Sequence, residues 1–390
     1  MESRPSLPEP DADELAHVAA VRARIIAAID EAGGRLSFER YMDLALYAPG
    51  LGYYLAGARS FGRDGDFITA PELSPLFGAT LARQCAEVLE RTGGSILEFG
   101  GGSGRLAAAL LAELAARDAL PESYCILELS PALRARQRET IAAAAPDALA
   151  RVRWLTDAPV APLDGVVVAN EVLDALPVRL FARAQGADFE RGVTHEASGA
   201  LAWTRWPADA ALSAAIAQCF APSPPPADYV SEVNLRLRLW LADLPRFLRR
   251  GVVLLIDYGD TRRERYHPHN DGGSLRCYFR HRVLDDPLRH PGLQDITASV
   301  DFTRVAEEAG DAGFAVLGYA TQASFLLACG IEDCLQARLA APAEHARLAL
   351  EARILLLPQE MGTRCKVLAL GRDYAEPLRG FRLRDERHRL

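Results

Sequence analysis

The stretch "SILEFGGGSGRLAAALLAEL", Ser95 to Leu114, decides the fold. Ile96 to Phe99, apolar except for Glu98, suit a buried strand, and Leu106, Leu110 and Leu114 recur at helical spacing. Five small residues, Gly100 to Gly104, therefore lie at a strand-to-helix turn, where missing Cβ atoms let a ligand approach the backbone.

Two ligand classes compete for such a turn. A dinucleotide fingerprint is G-x-G-x-x-G, whose backbone N–H groups hold a pyrophosphate. Here Gly100, Gly102 and Gly104 read G-x-G-x-G, Arg105 takes the third fingerprint position, and Glu98 stands two residues before the first glycine. A carboxylate there opposes a pyrophosphate but suits a ligand carrying positive charge. S-adenosylmethionine has a sulfonium and an ammonium group, and its single carboxylate can use helix-end N–H groups. A tight turn with a purely structural purpose is the remaining alternative.

Outward from the turn, apolar strands alternate with helical stretches at 95–99, 123–128, 151–155, 164–169, 251–257, 314–319 and 364–370. This βα repeat predicts an α/β fold with a mainly parallel sheet and helices on both faces. A helix is expected before Gly251, with Ser231 as N-cap, "NLRLRLWLADLPRFLRR" as its body, a kink at Pro245 and Gly251 as its stop. Three regions fall outside the repeat: 1–80, 177–230 with a polar hairpin-like segment and "PSPPP", and 258–313, rich in Arg, His, Pro and Gly. The core is thus expected at 81–257 and 314–372, with insertions at 177–230 and 258–313 flanking the carboxyl edge where such sheets bind ligands. The tail 373–390 reads as a solvated charged end.

Polar residues at that edge are the site candidates. Glu128 closes the second strand, where an acid accepts hydrogen bonds from the ribose hydroxyls of an adenosine; a capping or surface glutamate is the alternative. Asp157, after the third strand, is a candidate acceptor for the adenine amino group, although Asp is also a common turn residue. The fourth strand ends in "ANEVLDALPV", placing Asn170, Glu171 and Asp174 where a transferable methyl group would lie. Glu171 and Asp174, three apart in a helical turn, would face one way as an anionic pocket; Asn170 and Asp174 as local caps are the alternative.

Bulk properties narrow the classes. The chain has 390 residues, 49% hydrophobic and 25% charged, the balance of a globular protein. Its net charge of -8 argues against sequence-independent nucleic-acid binding. Runs such as "GVVLLI" fall far short of the roughly 18 to 20 residues that span a bilayer, so no membrane partner is expected. The first residues carry five acids by Glu14 and no apolar signal core, which points to the cytoplasm. Seven dispersed cysteines without a C-x-x-C pair read as buried reduced thiols, and no metal site is expected. "HPH" at 267–269 reads as a turn around Pro268.

The chain resembles the MidA family of S-adenosylmethionine-dependent methyltransferases, which includes the mitochondrial complex I assembly arginine methyltransferase. The resemblance rests on "GYYLAGARSFGRDGDFITAPELSPLFG" (52–78), "LEFGGGSGRL", "NEVLDALPV", "LLIDYGD" (254–260), "GSLRCYFRHR" (273–282) and "PGLQDITASVDFTRVA" (291–306). It implies a class I Rossmann-like methyltransferase with a seven-stranded sheet, S-adenosyl-L-methionine as cofactor, and Gly100, Gly102, Gly104 and Glu128 holding it. It also implies that 62–77 folds over the cofactor as an N-terminal lid, with Phe67, Thr69 and Pro71 as lid residues; Phe67 and Phe77 as plain core is the alternative. "QDIT" and "VDF" would hold substrate-side polar groups or brace the insertion.

A protein arginine as acceptor is implied by the resemblance alone, with Glu171 and Asp174 as catalytic carboxylates and a protein as partner. The two-glutamate hairpin loop of well-known arginine methyltransferases is not evident here. Two other readings stay open: a small-molecule methyltransferase, and a non-catalytic assembly or scaffold protein that keeps the fold.

Overall fold

Seven apolar runs become seven strands in a computed structural model that describes residues 9–56, 69–338 and 342–390. They are β1 (Ser95–Phe99), β2 (Tyr124–Leu127), β3 (Val152–Leu155), β4 (Leu163–Asn170), β5 (Leu248–Asp260), β6 (Ala315–Thr321) and β7 (Cys365–Arg372). Their order across the sheet is β6-β7-β5-β4-β1-β2-β3, and the two-residue strand Val300–Asp301 adds to β5. Neighbours from β5 to β3 are parallel, whereas β7 runs antiparallel between β5 and β6. The order reverses between β1 and β4, which is where an open α/β sheet binds its ligand.

Alternation along the strands explains the layering. Ile96, Ile126, Val166, Val168, Val252, Leu254 and Val367 share one buried cluster with Leu106, Leu110 and Leu114, and with the apolar stripe of the helix Pro75–Thr92. This is the sheet's helix-covered core. Only residues 156–162 join β3 to β4, too few to form a covering helix while crossing the sheet. Beside that connection lies a cavity of about 670 Å³, lined by Phe99, Leu127, Leu129, Asp157, Trp240 and Phe247 among others.

Chain contacts divide the protein into two units. The unit just described comprises, among the described residues, 69–174, 237–265, 299–338 and 342–390. Among the described residues the other is assembled from 9–56, 175–236 and 266–298, so the N-terminal segment and both irregular regions contribute to one body. It contains a five-stranded sheet in which Arg179–Ala184, Ala187–His195 and Leu201–Pro207 form an antiparallel meander, and a separate three-stranded sheet from 276–297. Its core gathers Ile25, Ile29, Phe38, Tyr41 and Met42 with Val193 and Ile296.

Several local expectations change. Ser231 lies inside the strand Tyr229–Val233, and the helix is only Leu237–Asp243, followed by a 3-10 turn at Pro245. Gly251 does not stop it; β5 begins at Leu248 and Gly251 pairs with Gly165 of β4. The apolar residues after Pro245 serve the strand instead, because a ring without an N–H cannot continue the helix.

The tail is not a solvated end. Phe381 packs on Phe325 at 5.5 Å between ring centres, Gly380 N–H donates to Gln84, and the buried Glu386 carboxylate pairs with Arg384 and Arg389. Its charges conceal three apolar anchors, Tyr374, Leu378 and Phe381. All seven cysteines are free and buried, and Pro268 opens a short 3-10 turn. Among the described residues no helix is long and apolar enough to cross a membrane.

Candidate active site

The glycine bend is built by backbone conformations that a side chain resists. Gly100, Gly102 and Gly104 have φ of +63°, +50° and +87°, in the left-handed region. Gly104 caps the helix Arg105–Ala116, whose first N–H groups point at the bend. Glu72, on the short helix Ala70–Leu73 with its side chain largely covered, accepts from Ser103 Oγ and pairs with Arg105 Nε at 3.0 Å. The sequence contains Glu72 within the "TAPELS" signature, but nothing in its spacing marks it as the bend's outer support. Thr69 and Pro71 open that same helix, Thr69 without a side-chain cap bond. Phe67 lies outside the described residues.

Glu98 and Glu128, the two acids of this region, are placed differently. Glu98 is enclosed beneath the bend, where Tyr124 donates its hydroxyl to Oε2 at 2.8 Å. Burial pushes its carboxyl up to about 7 against the lowering effect of that hydrogen bond, with the charge of Glu128 adding a smaller rise. Glu128, just past β2, accepts from Ser130 N–H at 2.9 Å and from Gln137 Nε2 at 3.0 Å. Burial raises its pKa and those donors partly offset the rise. Asp157 is exposed at the cavity rim; its Oδ1 accepts from Ala158 N–H and lies 3.7 Å from Arg246.

The acidic end of β4 is not helical. Glu171 takes φ +52°, an uncommon backbone for a residue with a side chain, and its N–H donates to Ile256 O of β5 at 2.8 Å. The expected helical turn at 171–174 is absent because a buried acid on β5 claims its N–H groups. Asp257 Oδ2 accepts from Leu173 N–H at 2.9 Å and Asp174 N–H at 3.2 Å, while Oδ1 accepts from Tyr258 N–H. The Asp257 carboxyl is raised by burial first and then by the charge of Glu171. Its motif, "LLIDYGD", was legible, but the carboxylate's task depends on partners more than 80 residues away.

Asn170 Nδ2 donates to Glu171 Oε1 at 3.3 Å, whereas Asn170 Oδ1 is buried without a partner among the described residues. The lone lysine of the chain, Lys366, also serves this edge. Its buried ammonium donates to Gly259 O, Asp260 Oδ1 and Thr363 O at 2.8, 2.8 and 2.7 Å. Elsewhere, "QDIT" and "VDF" act as braces: Gln294 donates to Pro287 O, and Asp301 caps the helix Phe302–Asp311. Among the described residues no group of His, Cys, Asp and Glu is arranged to hold a metal.

Residues 80–320 match the model of a family described as "Putative S-adenosyl-L-methionine-dependent methyltransferase". The chain belongs to this methyltransferase family. The methyltransferase is 43% identical to a protein from Burkholderia thailandensis whose crystal structure has S-adenosyl-homocysteine bound, with a TM-score of 0.93 over 99% of this chain and all of that one. It is 28% identical to protein arginine methyltransferase NDUFAF7, mitochondrial, of Danio rerio, over 85% of this chain and 82% of that protein. The human NDUFAF7 is also 28% identical, over 86% and 80%.

S-adenosyl-L-methionine is the methyltransferase's cofactor, and the residues present fit it. Glycines open the bend, Glu128 offers a carboxylate to a diol, and Asn170 Oδ1 is a buried acceptor in need of a donor.

Proposed function

We propose that this methyltransferase transfers a methyl group to an arginine side chain of a protein. The observation that carries the reading is Glu171, held in a left-handed backbone at the carboxyl end of β4 by Ile256 O and by the loop that Asp257 ties down. Backbone strain kept by surrounding hydrogen bonds is a mark of functional sites. The relatives named protein arginine methyltransferases supply the acceptor class, at an identity that leaves it a proposal.

Gly100, Gly102 and Gly104 would hold the cofactor through backbone contact, with Glu128 on the ribose, Asp157 toward the adenine amino group and Asn170 Oδ1 accepting from the ammonium. Bound S-adenosyl-L-methionine supplies an electrophilic methyl group on its sulfonium. The chain's own task is alignment, since a displacement wants its reacting atoms roughly 3 to 3.5 Å apart and in line. Glu171 would accept hydrogen bonds from a guanidinium and localise its positive charge away from the attacking nitrogen. Asp174, buried beside it, would add negative potential. Glu98, enclosed with Tyr124 two residues before the bend, would add negative potential toward the cofactor's positive charge. Thr69 and Pro71 would bear on it from the neighbouring signature. The cytoplasm stays the proposed location; "mitochondrial" belongs to the names of the relatives.

The test is incubation with methyl-labelled S-adenosylmethionine and a lysate from cells lacking this protein, followed by mass spectrometry. Label in protein arginine is expected. Label confined to another residue or to a small molecule would overturn the acceptor. Glu171→Gln should abolish methylation while S-adenosyl-homocysteine still binds, and full turnover in that variant would remove Glu171 from the mechanism.

A further inference from the structure

Gln137 lies on the helix Pro131–Ala144 with no exposed surface, an uncommon place for a primary amide. Burial penalises any amide donor or acceptor left without a partner. Here the amide is engaged from both ends. Nε2 donates to Gly102 O and to Glu128 Oε2, both at 3.0 Å, and Oε1 accepts from Trp154 Nε1 at 2.9 Å. Because an indole N–H only donates, Trp154 fixes which way the amide points.

One side chain thereby joins the glycine bend, the acid beyond β2 and strand β3. The helix also presses on the bend: a Cβ at Gly104 would lie 2.8 Å from Gln137 Cα, and one at Gly101 would lie 3.1 Å from Gln137 Nε2. Glu128 has one oxygen turned by Ser130 N–H and the other by Gln137. Leu129 N–H is a further donor to this carboxylate, which with about four lone-pair sites still has acceptor capacity for the ribose. Gln137 is the side chain that bonds both Glu128 Oε2 and the Gly102 carbonyl, and so sets the distance between them.

We propose that Gln137 is the positioning residue of the cofactor site, its amide locking Glu128 and the glycine bend into the one spacing that engages S-adenosyl-L-methionine at both points. The proposal rests on the reading of Glu128 as the ribose acceptor. Charged groups that bear on this spot are Glu128 itself, Glu98 from β1, Arg134 on the same helix, and Arg138, whose guanidinium lies 4.4 Å from the Trp154 ring centre.

Titration calorimetry with S-adenosyl-homocysteine, on the wild type, Gln137→Glu and Gln137→Met between pH 6 and pH 8.5, tests it. Gln137→Glu keeps shape and the acceptor for Trp154, but its ionised form sets a second carboxylate against Glu128 and the Gly102 carbonyl. Its Kd relative to wild type should grow at least tenfold from pH 6 to pH 8.5, a dependence that a loss of packing alone would not produce. Gln137→Met should weaken binding at least fivefold at every pH while its circular dichroism stays native. In a Glu128→Gln background the pH dependence caused by Gln137→Glu should shrink, leaving only the part due to the Gly102 carbonyl. A pH-independent ratio for the Glu variant, or wild-type affinity in a folded Met variant, would overturn the proposal. Should the Glu variant not fold, the Met variant decides. A wild type that binds no S-adenosyl-homocysteine would instead overturn the reading of the cofactor site, so the two failures are distinguishable.

Discussion

Replacing Glu98 with glutamine should change how the protein's stability depends on pH. In the fold the Glu98 carboxyl is pushed up to about 7 from an ordinary value of 4.5, with burial as the largest cause. Between those values the folded protein holds a proton that the unfolded chain has released, so stability falls as pH rises through this window and levels off above it. A gap of about 2.5 between the two values corresponds to about 3 kcal/mol. Glu98→Gln keeps an oxygen to accept from the Tyr124 hydroxyl but cannot ionise, so the variant lacks this dependence. Urea denaturation of both proteins at steps from pH 4.5 to pH 8 isolates the effect, because other titrating groups cancel in the difference. The variant's stability relative to wild type should climb by about 3 kcal/mol across the window. A difference that stays constant with pH would show that the Glu98 carboxyl keeps an ordinary pKa in the fold and refute the reasoning.

Gly104→Ala imposes a left-handed side-chain residue, costing about 1 to 2 kcal/mol, and drives its Cβ to 2.8 Å from Gln137 Cα. Thermal unfolding should show the loss, and calorimetry a weaker grip on S-adenosyl-homocysteine; an unchanged melting temperature would refute the tight approach. Asp257→Asn leaves one buried N–H among Leu173, Asp174 and Tyr258 facing an amide group that cannot accept, a cost of about 1 to 3 kcal/mol. Methyl transfer should slow while affinity for S-adenosyl-homocysteine stays within about twofold, since the affected loop is that of Glu171. Lys366→Met strips a charged donor from three acceptors and should destabilise the fold by about 3 kcal/mol in urea denaturation. In the native protein Lys366 should also resist amine-reactive labelling, as peptide mass spectrometry would show; ready labelling would refute its burial.

The sheet was legible because each strand declares itself locally. Mainly apolar stretches such as 95–99 and 164–169 sit between turn residues, and the expected strands match the structure within a few residues at either end. The positions of the glycine bend, Glu128 and Asn170 at the carboxyl edge were equally visible, because they follow from where the strands end. What stayed hidden depends on distant pairing. Glu72 reads as one more helix residue until Ser103 and Arg105 fold against it, and Gln137 reads as a polar position on an ordinary helix until Gly102, Glu128 and Trp154 converge on it. The 171–174 turn misled for the same reason. Its i, i+3 acids suit a helix, but Glu171 takes a left-handed φ of +52° and the buried Asp257 carboxylate holds the Leu173 and Asp174 N–H groups. In the tail, charged residues masked three apolar anchors spaced along an irregular segment, which has no period to read.

The most direct measurement is a crystal structure of the wild-type chain with S-adenosyl-homocysteine. The adenosyl moiety should lie over Gly100 to Gly104, with both ribose hydroxyls on Glu128 and the homocysteine end toward Asn170 and Glu171. A ligand seated elsewhere, or a ribose that leaves Glu128 untouched, would contradict the account.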